Sequence, residues 1–367
     1  MKFGNNPTPL ILTLLASSLL AACNDSGSDP KSGSTVKPVT PKTTVTGVAL
    51  DGYLSNAKVC IDRNQSLSCD NDEESVLTNG EGQYTLPSGE EDLSKYAIIV
   101  EVIPHQTTDM DMPNKTLELA YVLSSPANTA SLITPYTTVI SAVASQQGVD
   151  YNAAKTIMSK QLNVDVSAFE RDYVAKGHAD DPKLHLLAQS LTRIMQKGEQ
   201  ASVEDGVARL DVRKGLKAKL AFLDLAELKT KTDKLIGTVS DRNAIDKIAD
   251  DYAADVTVSS EEVVGHKVLI IPPAPRSNSI NDAADTFDWS WVGLFTDKTD
   301  YEYSLDKGKT WQVVTAKPLS VSKSAYAIGD VQVRTKANIN KKLKAGKPTI
   351  STQVFTPVPD TQPTAPT

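Results

Sequence analysis

The chain has 367 residues and a formal net charge of −7, from 38 lysines and arginines against 45 aspartates and glutamates. Nucleic-acid-binding proteins usually carry a basic surface, so this charge balance argues against a nucleic-acid partner. The length is sufficient for two or three domains. Beyond the first 23 residues no apolar run is long enough for a membrane-spanning helix, so we expect the remainder to be soluble.

The first 22 residues have the three-part layout of a secretory signal peptide. Lys2 lies near the start, an apolar run covers residues 10–20, and small residues precede Cys23. The sequence LAAC at 20–23 is a lipobox, which predicts cleavage before Cys23 and attachment of lipid, palmitate included, to that cysteine. The alternative is an ordinary secretory signal with a chance cysteine.

The residues after the cysteine bear on location. Asn24 stands where an aspartate typically retains lipoproteins in the inner membrane, which favours the outer membrane and the cell surface, although Asp25 follows. Residues 23–44 are mostly Ser, Gly, Pro, Thr, Lys and Asp, a composition that cannot bury enough apolar surface to fold. We therefore expect a disordered tether there.

Short alternating runs with turn signals between them cover residues 45–125. The Asp51-Gly52 and Asn79-Gly80 pairs are typical turn sequences. Runs of this length and spacing predict a small β-sandwich domain.

Two cysteines, Cys60 and Cys69, lie in this region. With Cys23 consumed by lipid, they form an even remainder in an exported chain, so we expect a disulfide that closes a ten-residue loop. The alternative is two free thiols.

The segment after the first of these cysteines has the oxygen spacing of a twelve-residue calcium loop. Oxygen side chains fall at loop positions 1, 3, 5, 9 and 12, and a hard cation needs six or more oxygens. The candidate ligands are Asp62, Asn64, Ser66, Asp70 and Glu73. Leu67 occupies position 6, where glycine is usual, so an acidic loop stapled by the disulfide is the open alternative.

Three segments here resemble the amino-terminal module of large bacterial surface lipoproteins. They read VTGVALDGYL at 45–54, AKVCIDRN at 57–64 and TNGEGQYTL at 78–86. Accessory colonization factor D and its secreted mucin-degrading relatives carry such a module, and ITPYTTV at 133–139 resembles the segment that opens the helical part after it. The resemblance covers roughly residues 45–160 and implies architecture alone, because similar modules occur in lipoproteins of unrelated activity.

Residues 126–260 change to a 3.6-residue period, which predicts a helical domain. Thr134 before Pro135 supplies an N-cap and a first-turn proline for its first helix. Residues 261–280 contain a strand-like run and a proline-rich connector, residues 281–357 a second β-domain, and residues 358–367 a disordered tail. The expected fold class is multidomain α+β: a prealbumin-like β-sandwich, a helical middle domain and a fibronectin- or Ig-like β-sandwich.

The last β-domain contains the sequence SLDKGKTW at 304–311, which matches the Asp-box of β-hairpin turns. A single copy predicts a fold element rather than a sialidase. Trp289 and Trp291 are two apart on an expected strand and so point to one face. They are candidates for a sugar-stacking platform, and core packing of a small sandwich is the favoured alternative.

No catalytic motif is found. The chain has no nucleophile elbow, P-loop, dinucleotide fingerprint or zinc cluster, and its four histidines include no His-Glu-x-x-His pair. His178 with Asp180 and Asp181, and His185 beyond them, form the one tempting cluster, for which a helix-capping turn is the favoured explanation. We therefore expect a non-enzyme, with calcium as the one candidate cofactor; the alternative is an enzyme whose catalytic residues lie too far apart in sequence to recognise.

These patterns predict a lipid-anchored envelope lipoprotein that acts as a surface binding or adhesion module for a glycan, matrix or protein ligand. The alternative is a periplasm-facing structural or accessory subunit of an outer-membrane assembly that has no external ligand.

Overall fold

The computed structural model describes residues 43–89, 92–175, 177, 181–235, 242–265, 267–276, 278–321 and 324–356. These residues all belong to one compact unit. Within them the architecture is mixed α+β, with six α-helices between two groups of small β-sheets. The predicted mixed α+β class is confirmed. No helix among the described residues has the length and apolarity that crossing a membrane requires.

The strands are short. They are β1 Thr44–Ala49, β2 Leu54–Ser55, β3 Lys58–Asp62, β4 Ser75–Leu77, β5 Gln83–Pro87, β6 Ala97–Val102, β7 Thr108–Asp109, β8 Tyr121–Pro126, β9 Leu132–Ile133, β10 Val263–Val264, β11 Lys267–Val268, β12 Asn278–Asn281, β13 Thr286–Trp289, β14 Tyr301–Ser304, β15 Gln312–Val313, β16 Leu319–Ser320, β17 Gln332–Thr335 and β18 Thr349–Ile350. The helices are α1 Pro135–Gln147, α2 Tyr151–Leu162, α3 Asp181–Glu204, α4 Arg209–Leu220, α5 Leu225–Asp233 and α6 Arg242–Val256.

The amino-terminal strands form two main sheets, in the orders β4-β3-β6-β8 and β5-β1-β9. Strands β3 and β6 pair antiparallel, with Val59 opposite Val100. Both valines are fully buried, as expected of a strand whose apolar face packs on a core. The pair β2-β7 is a separate two-stranded ribbon.

The first helix begins where the sequence predicts. The Thr134 side chain accepts a hydrogen bond from the backbone N–H of Thr137 at 3.1 Å, and the Thr137 hydroxyl accepts one from the Thr134 N–H at 3.0 Å. This capping box satisfies two donors that a helix start leaves unpaired. Pro135 occupies the first turn, and Gly148 ends the helix with a left-handed φ of 67°.

The strands and helices share one hydrophobic core. Buried side chains run without a break from Ile61 and Val100 in the first sheets to Val139 in α1 and Leu191 in α3. The expected boundary between residues 125 and 126 therefore lies inside a continuous core, and the sheets and helices bury each other's apolar faces.

The carboxy-terminal sheets, in the orders β12-β13-β16 and β15-β14-β17-β18, surround a second core. Phe222, from the segment after α4, stacks on Phe295 of this core with ring centroids 5.2 Å apart. The strand-like run at 263–271 forms two short paired strands with a turn at Gly265, where φ is 61°.

Candidate functional site, a lysine-lined groove

A groove of about 1400 Å³ is open between the sheets, the helices and the carboxy-terminal segments. This volume exceeds the roughly 300–1,000 Å³ of an ordinary small-molecule pocket. Its walls are the loop after β3, the start of β6, the end of α1, part of α4, and residues 267–270 and 339–342. All three segments that the sequence distinguishes therefore contribute to it.

The groove carries an excess of positive charge. Among its described lining residues are six lysines and one aspartate, a formal charge of +5. The lysines are Lys95, Lys214, Lys217, Lys267, Lys341 and Lys342. The whole chain has a formal charge of −7, so this surface is opposite in sign to the protein that contains it.

None of these six lysines forms an ion pair in the described part of the chain. Elsewhere, Lys197, Lys219 and Lys229 each pair with a carboxylate. Unpaired like charges lining one concavity raise the local potential and attract a ligand of opposite sign. We therefore refer to this surface as the lysine groove.

Helix α4 supplies the deeper lysine. Lys214 and Lys217 are three residues apart, so they lie on one face of the helix. Gly215 between them packs against Val258, where a Cβ would come within 2.6 Å of a valine methyl. This close contact fixes the position of α4, whose Lys214 and Lys217 line the groove.

Lys217 is half-buried and makes no hydrogen bond within the described residues. Burial lowers the pKa of its ammonium group, and the nearby charge of Asp62 opposes that shift. Gln146, also a lining residue, has a buried amide nitrogen with no hydrogen-bond partner in the described structure. A buried donor without a partner costs free energy, so both groups favour an acceptor from a ligand or from water.

The cysteine pair forms the predicted disulfide, which is confirmed. The Cα atoms of Cys60 and Cys69 are 5.5 Å apart. Residues 62–67 of the loop it staples form one wall of the groove. The sharp turn exists without glycine, because Gln65 and Leu67 adopt left-handed φ values of 58° and 56°.

The candidate calcium ligands lie together in this loop, and backbone amides occupy the first of them. One carboxylate oxygen of Asp62 accepts the N–H of Ser66 at 2.8 Å, and the other accepts that of Leu67 at 3.1 Å. The Asn64 side-chain oxygen also accepts the Ser66 N–H, at 2.9 Å. Burial raises the pKa of Asp62, and these amides oppose the shift.

The later candidate ligands are similarly engaged. Glu73 accepts the N–H of Arg63 at 2.8 Å, and Asp70 accepts the side-chain amide of Asn64 at 2.7 Å. That last bond is the main cause that lowers the pKa of Asp70. Among the described residues no group of three or more His, Cys, Asp or Glu that could hold a metal ion is present. The calcium site stays a prediction, and the loop is held by its own hydrogen bonds.

The two tryptophans proposed for sugar stacking pack into the carboxy-terminal core. Trp289 is 3% exposed, and Trp291 is half-buried with its ring centroid 6.3 Å away. The Lys317 ammonium lies 4.9 Å and 4.8 Å from the two centroids, and Tyr301 packs against both rings. A sugar would have to displace these contacts, so the geometry favours the core-packing alternative.

The Asp-box forms a hairpin turn between β14 and β15. Asp306 accepts hydrogen bonds from the N–H of Thr310 at 2.9 Å and from its hydroxyl at 2.6 Å, and the Ser304 hydroxyl donates to it at 2.7 Å. These bonds lower the pKa of Asp306 to about 2. The Trp311 indole N–H donates to the Gly308 carbonyl at 2.9 Å.

Sequence reasoning missed a buried acidic cluster around the Asp51-Gly52 turn. Asp51 is 3% exposed and accepts a hydrogen bond from the Tyr121 hydroxyl at 3.2 Å, while its other oxygen has no partner in the described structure. A Cβ at Gly52 would lie 2.2 Å from a carboxylate oxygen of Asp109. Burial and the neighbouring Asp109 charge raise the pKa of Asp51 to about 7.

His185, from helix α3, belongs to this cluster. Its Nε2 atom lies 2.7 Å from Asp111, which also accepts the side-chain amide of Gln189 at 2.7 Å. Although burial disfavours the imidazolium, this carboxylate raises the pKa of His185. The contact fastens the loop after β7 to α3.

Several sequence predictions lie outside the described residues. They are the signal peptide at 1–22, lipid attachment at Cys23, nearly all of the tether at 23–44, the tail at 358–367, and the His178 and Asp180 members of the histidine cluster. Comparison with family models, curated proteins and solved structures gives no match for this chain.

Proposed function

We propose that this protein is a lipid-anchored lipoprotein of the bacterial outer membrane that binds an external ligand in the lysine groove. The observation that carries the proposal is a concavity of about 1400 Å³ lined by six lysines without ion pairs among the described residues. Neighbouring side chains neutralise many of the lysines elsewhere in this chain. A cluster of unpaired lysines in one groove raises the electrostatic free energy through mutual repulsion, and a bound anionic ligand would lower it.

The sequence supplies the location in this proposal. The lipobox ending at Cys23 and the low-complexity stretch after it suit a protein held at a distance from the bilayer. The resemblance of residues 45–160 to the first module of surface lipoproteins agrees with it. The finer architecture belongs to the same proposal: a prealbumin-like sandwich before the helices and a fibronectin- or Ig-like sandwich after them.

Surface labelling of intact cells tests the proposal. An antibody against residues 285–356 should label cells, and external protease should remove the label. A Cys23→Ser variant should release the protein from the membrane fraction. Labelling that needs permeabilised cells would overturn the external role and favour the accessory subunit of an outer-membrane assembly.

A further inference from the structure

We infer that the ligand of the lysine groove is an acidic polysaccharide, whose carboxylate or sulfate groups contact the lysines and whose hydroxyl groups contact the uncharged amides between them. This inference rests on the proposed binding function and names its ligand class. Three features carry it: the charge of the groove, its size and its uncharged lining.

The charge requires an anion with more than one negative group. The six lysines lie on four separate stretches of chain: the segment before β6, helix α4, strand β11 and the turn at 339–342. Four of them, Lys95, Lys214, Lys267 and Lys342, have exposed side chains that can move to meet a ligand. A single small anion cannot contact lysines on all the walls of a groove this large, whereas a polymer with repeated charges can.

The uncharged lining suits a ligand rich in hydroxyl groups. Amide side chains line the groove between the lysines, and five of them make no side-chain hydrogen bond in the described part of the chain. These five are Gln65, Asn128, Gln146, Gln147 and Asn340. Each amide offers a donor and an acceptor, the pairing that a sugar hydroxyl needs. Tyr96 and Tyr151 also line the groove, and each combines an apolar ring with a polar end.

Gln146 and Lys217 mark the better-buried part of the surface. The amide nitrogen of Gln146 is buried without a partner, and Lys217 is half-buried without an ion pair in the described structure. Both are donors, so an acidic sugar that reaches them would supply the acceptors that the described residues do not provide. An acidic peptide would also satisfy the lysines, and its backbone N–H and C=O groups would meet some of the amides, but it lacks repeated hydroxyl groups, each of which donates and accepts at one atom.

Binding to defined polymers tests the inference. The full chain, purified in detergent, is titrated with hyaluronan, chondroitin sulfate, neutral dextran and polyglutamate. We expect both acidic glycans to bind, dextran not to bind, and polyglutamate to bind at least about tenfold more weakly than the tighter glycan. Glycan affinity should fall as salt rises, because charge contacts are screened. Hyaluronan carries carboxylates only and chondroitin sulfate carries carboxylates and sulfates, so tighter binding of chondroitin sulfate would show that sulfates strengthen recognition.

Matched charge reversals identify the surface. A Lys214→Glu/Lys267→Glu variant should weaken glycan binding by about tenfold or more and reduce its salt dependence. The control, Lys160→Glu/Lys183→Glu, makes the same charge change at two exposed lysines outside the groove and should stay within about twofold of the parent. A Gln146→Leu variant should weaken binding without changing its salt dependence, because it removes an uncharged donor.

Three outcomes overturn the inference: equal losses in the two double variants, polyglutamate binding as tightly as the glycans, or no binding of either glycan. Any of these leaves the surface-labelling result intact, so the ligand inference can fail while the external location of the protein stands. Conversely, labelling that appears only in permeabilised cells rejects the external role, even if the purified chain binds a glycan.

Discussion

At the residue scale, burial decides how Asp51 titrates. The carboxyl group accepts one hydrogen bond from Tyr121 and lies near the Asp109 charge, so its charged form is poorly stabilised. The folded protein therefore holds a proton on Asp51 at pH values where the unfolded chain, with its usual value near 3.8, has lost it. The stability from this proton is fully present below about pH 4 and is lost as pH rises through about 7.

The free energy of unfolding should therefore fall as pH rises from 4 to 8. An Asp51→Asn variant keeps the shape and the acceptor for Tyr121 but cannot titrate, so its decline over this range should be smaller. Since the pKa of His185 is also raised, a remaining decline above pH 6.5 is expected in the variant. Urea unfolding at each pH measures this, with intact mass checked for deamidation before Gly52.

Asp306→Asn is the matched control, because hydrogen bonds lower the pKa of that carboxyl instead of raising it. Its stabilising effect is present above the usual value of 3.8 and is lost as pH falls toward 2. The control should keep the decline in the free energy of unfolding between pH 4 and 8. It should reduce only the loss of stability below about pH 4. Equal declines in the parent and in Asp51→Asn would show that Asp51 does not titrate in this range.

At the element scale, the loop after β3 depends on its disulfide. The bond joins Cys60 to Cys69 across the hydrogen-bonded turn that forms a wall of the lysine groove. Closing a ten-residue loop restricts the unfolded chain. In the chain-entropy estimate this stabilises the folded state by about 3 kcal/mol.

A Cys60→Ala/Cys69→Ala variant should lose stability of that order, measured by urea unfolding. The parent in reductant should approach the stability of the variant, and reductant should leave the variant unchanged. A variant as stable as the oxidised parent would mean that the loop hydrogen bonds alone fix this wall.

At the scale of the whole molecule, Arg213 connects the β-sheets to the helices. From α4 its guanidinium pairs with Glu101 of β6 at 2.7 Å, lies 3.6 Å from Glu199 of α3, and donates to the Leu67 carbonyl at 3.2 Å. The Arg213 side chain is 3% exposed. Removing one partner of a buried charge network leaves the others without compensation, which typically costs about 3–5 kcal/mol.

Arg213→Met should therefore destabilise the protein by about 3–5 kcal/mol in chemical unfolding, with the loop at 62–67 losing protection in hydrogen exchange. Lys214→Met serves as the control, since that lysine follows Arg213 on the same helix, is exposed and forms no ion pair in the described part of the chain. Its effect should stay below about 1 kcal/mol. Similar losses in the two variants would show that the network is not what joins the parts.

The sequence by itself determined the local structure of this protein. Alternating apolar residues predicted the β-rich ends, the 3.6-residue period predicted the helices between them, and Thr134 before Pro135 predicted the start of α1. The two cysteines that remain besides Cys23, in a chain that we expect to be exported, predicted the disulfide. Each of these signals depends on residues that are close in sequence or on composition, so the sequence alone reveals it.

Only the tertiary structure decided which residues meet. The six lysines of the lysine groove come from segments up to about 250 positions apart. The net charge of the whole chain is negative, so its composition gives no sign of a positively charged surface. Asp51 lies near the Asp109 charge, and His185 meets Asp111, because one core packs the sheets against the helices. Charge clusters of this kind depend on long-range packing, so composition and spacing do not reveal them.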